Sequence, residues 1–77
     1  MNRQRRNALE DLKEKLEELQ EHLEVLKEEE EDAFNNIPDS FSGSERYENA
    51  EATVEDLEGA VDSLGEVIGY LETVLER

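Results

Sequence analysis

NNIPDSFSGS, at residues 35–44, is the only stretch of the chain that is rich in turn-forming residues. Pro38 cannot continue a helix, and it pushes Ile37 out of the helical region of backbone space. Asn35 or Asn36 tolerates the left-handed conformation that ends many helices. We therefore expect a first helix to end near Asn35.

The same stretch contains a signal for the start of a second helix. Ser42 is followed three residues later by Glu45. This spacing fits a capping box, in which each side chain accepts a hydrogen bond from the backbone amide of the other residue. The second helix is therefore expected to begin near Gly43 and to run almost to the last residue.

Both sides of this turn repeat apolar residues at alternating spacings of three and four, which is typical of a helix that packs on another helix. We assign position a of the heptad to Leu9 and position d to Leu12. The first tract is Leu9, Leu12, Leu16, Leu19, Leu23 and Leu26. The second tract is Tyr47, Ala50, Val54, Leu57, Val61, Leu64, Ile68, Leu71 and Leu75. No segment alternates with period two, so strands are not expected.

A short connection makes consecutive helices antiparallel, and antiparallel seams pair position a with position d. One register satisfies this rule at every seam position and places Leu19 against Val61. The predicted fold is all-α: an antiparallel, coiled-coil-like two-helix hairpin. It forms a single domain over residues 1–77, with helix 1 at about 4–35, the loop at 36–42 and helix 2 at about 43–76.

Composition limits the classes of partner. The 77 residues contain 23 acidic and 8 basic side chains, for a net charge of -15, and no cysteine. This charge predicts no direct contact with nucleic acid or with an anionic membrane, because both are negative themselves. The longest apolar runs are two residues, so no membrane span is expected. We predict a cytoplasmic protein, in the host-cell cytoplasm if it is phage-encoded.

One edge of the hairpin is predicted to be too apolar to face water alone. At the g positions, small or apolar side chains widen the seam. They are Ala8, Ala60, Val67 and Val74. Because a single hairpin of this size has a small core, we expect a homo-oligomer, either a dimer of hairpins forming a four-helix bundle or a larger assembly.

Polar residues near the seam suggest three local features. At the e edge, Lys27 is expected to reach Glu51. Glu30 interrupts an a position, and Arg46 is placed to neutralise Glu29 or Glu30. Three glycines lie inside helix 2, and Gly65 with Gly69 either admits a close neighbour or lies on an exposed face or mild bend.

No enzymatic chemistry is predicted. A thin hairpin has no cavity that excludes water, and the single histidine, His22, falls at a g position. The acidic run at residues 28–32 has no calcium-loop spacing, and a helix points its successive carboxylates to different faces. We therefore expect no catalytic residues, no metal and no cofactor.

The outer face of helix 1 is almost continuously acidic. Its b and f positions include Glu14, Glu17, Glu21, Glu24 and Glu28. A helix of about 27 residues is about 40 Å long, and duplex DNA of that length carries about 24 phosphates, close to the 23 carboxylates here. The face is a candidate for binding a protein with a basic surface by mimicking the charge of DNA, although acidic outer positions also serve solubility.

The start of helix 2 is a second candidate site. Free backbone amides, two hydroxyls, a guanidinium and a phenol together suit an anion such as the phosphate of a small nucleotide. The residues are Ser42, Ser44, Arg46 and Tyr47. A helix cap together with an ion pair would account for the same residues.

Certain motifs resemble those of small uncharacterised proteins encoded in phages and prophages of Gram-positive bacteria. The resemblance rests on Glu-Asp-Ala-Phe at residues 31–34, then Asn36-Ile37-Pro38, then Ser44-Glu45-Arg46 and a second heptad helix. It implies a helical hairpin and a phage context. Small acidic phage proteins often look like inhibitors of host defence, which favours such a role by analogy.

Three functions follow as hypotheses. The first is a non-enzymatic acidic interaction protein, a phage-type inhibitor that binds a host defence or nucleic-acid-binding protein by charge mimicry. The second is an oligomeric sponge that sequesters an anionic nucleotide signal. The third is a structural scaffold subunit.

Overall fold

The computed structural model describes all 77 residues as two long helices joined by a short turn. α1 spans Arg3–Asn35 and α2 spans Glu45–Glu76, with a single 3₁₀ turn at Asp39–Phe41 between them. There is no strand, and the two helices pack along their lengths. The prediction of an all-α helical hairpin is confirmed.

The hairpin is a rod. It measures 59 × 15 × 14 Å and has a radius of gyration of 17.5 Å, against about 11–12 Å for a compact domain of this length. Two helices side by side leave most of their circumference in water. Only Val61 and Ile68 are buried, at 9% and 7% exposure, and none of the ten leucines is.

Asn36 ends α1 without a left-handed residue. Its φ and ψ are -90° and -2°, and its backbone N–H donates to the carbonyls of Asp32 and Ala33. No residue in the chain has a positive φ, so the predicted left-handed ending is wrong. Pro38 then turns the chain with an extended ψ of 145°, as its missing N–H and fixed φ favour.

Ser44, not Ser42, caps α2. The hydroxyl of Ser44 accepts from the backbone N–H of Tyr47 at 3.2 Å and donates to the carbonyl of Phe41 at 2.7 Å. Ser42 instead ends the 3₁₀ turn. The predicted capping box is therefore wrong, and α2 begins two residues later than the sequence indicates because the 3₁₀ turn occupies part of the connection.

The e positions of α1 make the polar and aromatic contacts between the helices. Each hydrogen bond, ion pair or ring contact from a side chain of one helix to the other involves one of them. Gln20 Nε2 donates to the carbonyl of Val61 at 3.2 Å, and an Arg6 guanidinium nitrogen donates to the carbonyl of Leu75 near the end of α2. The Phe34 and Tyr47 rings pack with centroids 4.9 Å apart. The observed register is thus within one residue of the predicted one, since Gln20 meets Val61 where Leu19 was expected.

α1 is rotated relative to its predicted seam. Apart from Glu17 and Glu31 at b, the half-buried side chains of α1 lie at a and e, including Leu9, Lys13, Leu16 and Gln20. The d leucines face solvent, with exposures of 50% for Leu12, 57% for Leu19 and 54% for Leu26. The pairing of a with d at every seam position is therefore wrong for α1, whereas α2 uses its a and d positions as predicted.

Two features of the e edge explain this rotation. A Cβ at Gly65 would lie 3.2 Å from Gln20 Nε2, so the missing side chain makes room for the Gln20 amide. Arg6, Lys13 and Gln20 have long aliphatic stems that cover apolar surface while their polar ends reach carbonyls or carboxylates. Gly59 and Gly69, by contrast, face open space.

Candidate functional site

The predicted acidic face lies on the outside of α1. Glu14, Glu21, Glu24 and Glu28 are exposed and have no basic side chain within 4 Å. Glu17 differs, because Lys13 Nζ lies 3.2 Å from its carboxylate and its side chain is 47% exposed. Four of the five predicted glutamates therefore keep their charge unpaired, and the fifth is partly neutralised.

An acidic groove lies between the helices at the open end of the hairpin. It encloses about 450 Å³ and is lined by Glu10, Lys13, Glu14, Glu72, Leu75 and Glu76. The groove extends the acidic face across the e edge onto α2. Lys13 and Glu72 both occupy e positions, which face each other in an antiparallel pair, but the heptad pattern alone does not predict a groove there.

Lys13 is the basic residue of this groove. Its ammonium lies 3.2 Å from Glu17 and 3.7 Å from Glu72, so it bridges the two helices. The hydrogen bond to Glu17 is the largest influence and raises the pKa of Lys13 above its ordinary value. Desolvation, the second largest, lowers this pKa, and the charges of Glu17 and Glu72 raise it again. Lys13 therefore stays charged at neutral pH and joins α1 to α2.

Two other predicted ion pairs are absent. Lys27 pairs with Glu31 on its own helix at 3.9 Å and does not reach Glu51. Arg46 makes no ion pair with Glu29 or Glu30. Glu30 itself is exposed, because the seam of α1 moves toward Phe34 near the tip.

The predicted anion site is divided in the structure. Ser44 and Arg46 line a depression of about 310 Å³ at the tip, together with Ala33, Asn36, Ile37, Pro38 and Phe41. Ser42 and Tyr47 do not line it, and Tyr47 packs against Phe34. Because Ser44 already caps α2, Arg46 is the main polar group free to meet an anion there. A nucleotide site stays a prediction.

The predicted oligomer edge is partly open. Ala8 is exposed and Val67 is 45% exposed, whereas Ala60 and Val74 are half-buried. A larger exposed apolar area, which the heptad assignment did not predict, comes from the d leucines Leu12, Leu19 and Leu26. The sequence feature that indicates their exposure is the row of long side chains at the e positions of α1. These side chains take the place of the d row in packing against α2.

Two further geometric observations concern metals and membranes. No three acidic or histidine side chains come close enough together to hold a metal ion. Neither helix has a stretch that is both long enough and apolar enough to cross a bilayer.

Comparison with known proteins finds no matching family model, and neither the curated proteins nor the solved structures include a significant match.

Proposed function

We propose that this protein is a non-enzymatic acidic interaction protein whose α1 binds a basic protein surface. The observation that carries the proposal is the row of exposed, unpaired carboxylates at Glu14, Glu21, Glu24 and Glu28. Such a row attracts a positively charged groove, speeds the encounter and repels nucleic acid. The fitting partner is a nuclease or regulator of the host that binds nucleic acid, in line with the resemblance to phage-encoded proteins.

The dimensions of the rod set how closely it imitates DNA. The hairpin is 59 Å long and carries 23 carboxylates, whereas duplex DNA of that length carries about 35 phosphates. The near-equality expected over about 40 Å does not hold, because α1 has 33 residues and not about 27. The charge density is about two thirds that of a duplex, which is enough for an acidic rod to occupy a basic groove by attraction.

The acidic groove gives such a partner a defined contact. Glu10 and Glu14 of α1 face Glu72 and Glu76 of α2 across about 450 Å³. Lys13 already pairs with Glu72 there, so one Lys or Arg side chain of the partner would bind the remaining carboxylates, Glu10, Glu14 and Glu76. Arg suits this geometry best, because its planar fork donates to two carboxylates at once.

Self-association is part of the proposal. None of the ten leucines is buried in the single hairpin, and a chain this small gains only about 3–5 kcal/mol from one core. Association of two or more hairpins buries the leucines and leaves the acidic face of α1 outside. Sedimentation velocity over a range of protein concentrations measures this directly.

Matched charge variants test the binding proposal. The first replaces Glu14, Glu21, Glu24 and Glu28 with Gln. The control replaces four exposed acids of α2 with their amides: Glu48, Glu55, Asp62 and Glu66. Both lose four negative charges, so a difference between them reports the position of the charge and not its total.

The assay is capture from a lysate of a Gram-positive bacterium on the immobilised protein. We expect the wild type and the α2 control to retain proteins that duplex DNA or a rise from about 50 to about 200 mM salt releases, and the α1 variant to lose them. Capture that ignores salt, or that both variants lose equally, would overturn the proposal.

The depression at the tip favours a second candidate, binding of a small anionic nucleotide. Arg46 is exposed there beside Ser44, with apolar contacts from Ile37 and Phe41. Calorimetry with cyclic nucleotides tests it: heat that disappears in Arg46→Ala supports it, and no heat with any nucleotide rejects it.

A further inference from the structure

We propose that the leucine face, defined as Leu12, Leu19 and Leu26 of α1 with Val67 of α2, is the interface with a second copy of this chain in a four-helix bundle. The proposal makes specific the self-association included in the proposed function. These four side chains are 45–57% exposed although all are large and apolar. The original seam assignment placed the three leucines inside the hairpin.

The rotation of α1 produces this face. α1 meets α2 through its a and e positions, as the contacts of Lys13, Gln20 and Phe34 show. At 100° per residue, the d row lies about 80° around the helix from the middle of that contact. The two neighbours of a helix in a four-helix bundle lie at about a right angle, so the d row of α1 points to where a second neighbour sits.

α2 extends this face through its g row. Its seam residues Val61, Gly65 and Glu72 meet α1. Beside them its d row is half-buried, as at Leu64, and its g row includes the exposed Val67. Because the e edges of an antiparallel pair face each other, the d and g rows of both helices lie on one side of the hairpin. They form a single apolar face.

Charge selects a second copy as the occupant. Among the d and g positions of both helices, Glu29 near the tip is the only acid, although the chain has 23. The same positions of α1 carry Lys15 and His22. A basic partner is directed to the acidic outer face, whereas another chain of charge -15 can approach without carboxylate repulsion at contact only here.

The side of the rod that carries the face is large enough for a stable dimer when its whole length is used. That side measures 59 by 15 Å, or about 900 Å² in projection, with the three leucines over its central ~21 Å, and a standard protein interface takes about 800 Å² from each partner. A second hairpin has the same length and the same face, so a two-fold dimer is self-complementary.

Sedimentation equilibrium with adjacent substitutions tests the interface. Leu26 and Val25 are neighbours with nearly equal exposures of 54% and 52%, but Val25 lies at a c position, about 100° around the helix from the leucine row. We expect the wild type to sediment at twice 8.9 kDa. Leu26→Gln should raise the dissociation constant by about tenfold or more, and Val25→Gln by less than about twofold. The triple variant Leu12→Gln, Leu19→Gln, Leu26→Gln should be monomeric.

A labelling experiment covers the case in which the triple variant fails to fold. The chain has no cysteine, so Leu19→Cys and Val25→Cys each introduce one thiol. We expect maleimide to react at least about tenfold more slowly at Leu19→Cys than at Val25→Cys at protein concentrations above the dissociation constant, and equally fast well below it.

Three results would overturn the interface: a helical wild type that stays at 8.9 kDa, a triple variant that remains dimeric, or equal labelling rates at high concentration. The leucine substitutions leave all carboxylates in place. If the monomeric variant still captures partners in a salt-dependent way, binding by the acidic face does not need the dimer. The two proposals can therefore fail separately.

Discussion

α1 and α2 have 33 and 32 residues, yet they use their apolar rows differently. α2 contains both buried side chains of the protein, Val61 and Ile68, and points its a and d rows toward the hairpin seam. α1 buries no residue and divides its two leucine rows between α2 and solvent. The same heptad pattern thus places both apolar rows in the seam on α2 but only one of them on α1.

The difference shows that a heptad specifies an apolar stripe but not its orientation. Side chains just outside the stripe decide the rotation of the helix. On α1 these are long and amphipathic, as at Lys13 and Gln20, and they pack beside α2. The leucines on the opposite side of the stripe, such as Leu19, then become available to another partner.

The largest expected contrast is between Ile68 and Leu19. Ile68→Ala should lower the free energy of unfolding by about 2–5 kcal/mol, because it leaves a cavity in the only buried part of the seam. Leu19→Ala should cost less than about 1 kcal/mol at low protein concentration, where the half-exposed side chain has no second neighbour. Urea denaturation followed by circular dichroism measures both.

Protein concentration sharpens this contrast. The cost of Leu19→Ala should rise with concentration, because association stabilises only the folded chain. Ile68→Val, with an expected cost of about 0.5–1.5 kcal/mol, replaces Ile68→Ala if the larger truncation unfolds the protein. Equal costs of Leu19→Ala and Ile68→Ala at the lowest concentration would contradict the assignment of the two rows.

Much of the fold was predictable from the sequence because it depends on local signals. Pro38 and the surrounding turn formers divide the chain, and the two apolar tracts have matching lengths, so the hairpin and a register within one residue follow. The outer acids of α1, including Glu14 and Glu21, were also placed correctly on an exposed face. Position f stays outside under a rotation of this size, whereas the b residues Glu17 and Glu31 become half-buried.

The rotation of α1 and the features that depend on it were not predictable in the same way. A rotation of about 50° separates a seam centred between a and d from one centred between a and e. The exposed Leu12, the acidic groove beside Glu72 and the absent pair of Lys27 with Glu51 all follow from packing preferences too small to read from spacing alone. Gly65 and the long side chains at the e positions of α1 were the visible clues.

The tip provides the next prediction, which compares the starts of the two helices. Ser44→Ala should destabilise the protein by about 0.5–2 kcal/mol, because it removes the cap of α2. Asn2→Ala should cost less, since the hydrogen bond from the backbone N–H of Arg5 to Asn2 Oδ1 is exposed, whereas that from Tyr47 to Ser44 is partly buried. Denaturation midpoints measure both, with Ser42→Ala as the neutral control. A larger loss from Ser42→Ala would restore the capping box.

The glycines of α2 give a smaller effect. Gly69→Ala should stabilise the protein by about 0.5–1 kcal/mol, because the site is open and alanine favours the helix. Gly65→Ala should gain less or nothing, because its methyl group would displace Gln20 Nε2 and weaken the hydrogen bond to Val61. Repeating both in a Gln20→Ala background should make the two gains equal. A difference that persists would mean that a group other than Gln20 limits the space for a methyl at Gly65.

The smallest expected effect is the pH dependence of the Lys13 bridge between α1 and α2. The pKa of Lys13 is raised in the folded protein, mainly by Glu17 and also by Glu72. The ion pairs of Lys13 therefore stabilise the fold fully below the pKa of lysine in the unfolded chain, about 10.4. This stabilisation is lost as pH rises through the higher pKa of the folded state. Urea denaturation of wild type and Lys13→Met should therefore differ by a constant amount from pH 7 to about 10 and converge above it. Lys15→Met is the matched control, because Lys15 is exposed and has no carboxylate within 4 Å. A difference that persists at high pH, or that Lys15→Met reproduces, would show that the stem of Lys13 and not its charge joins the helices.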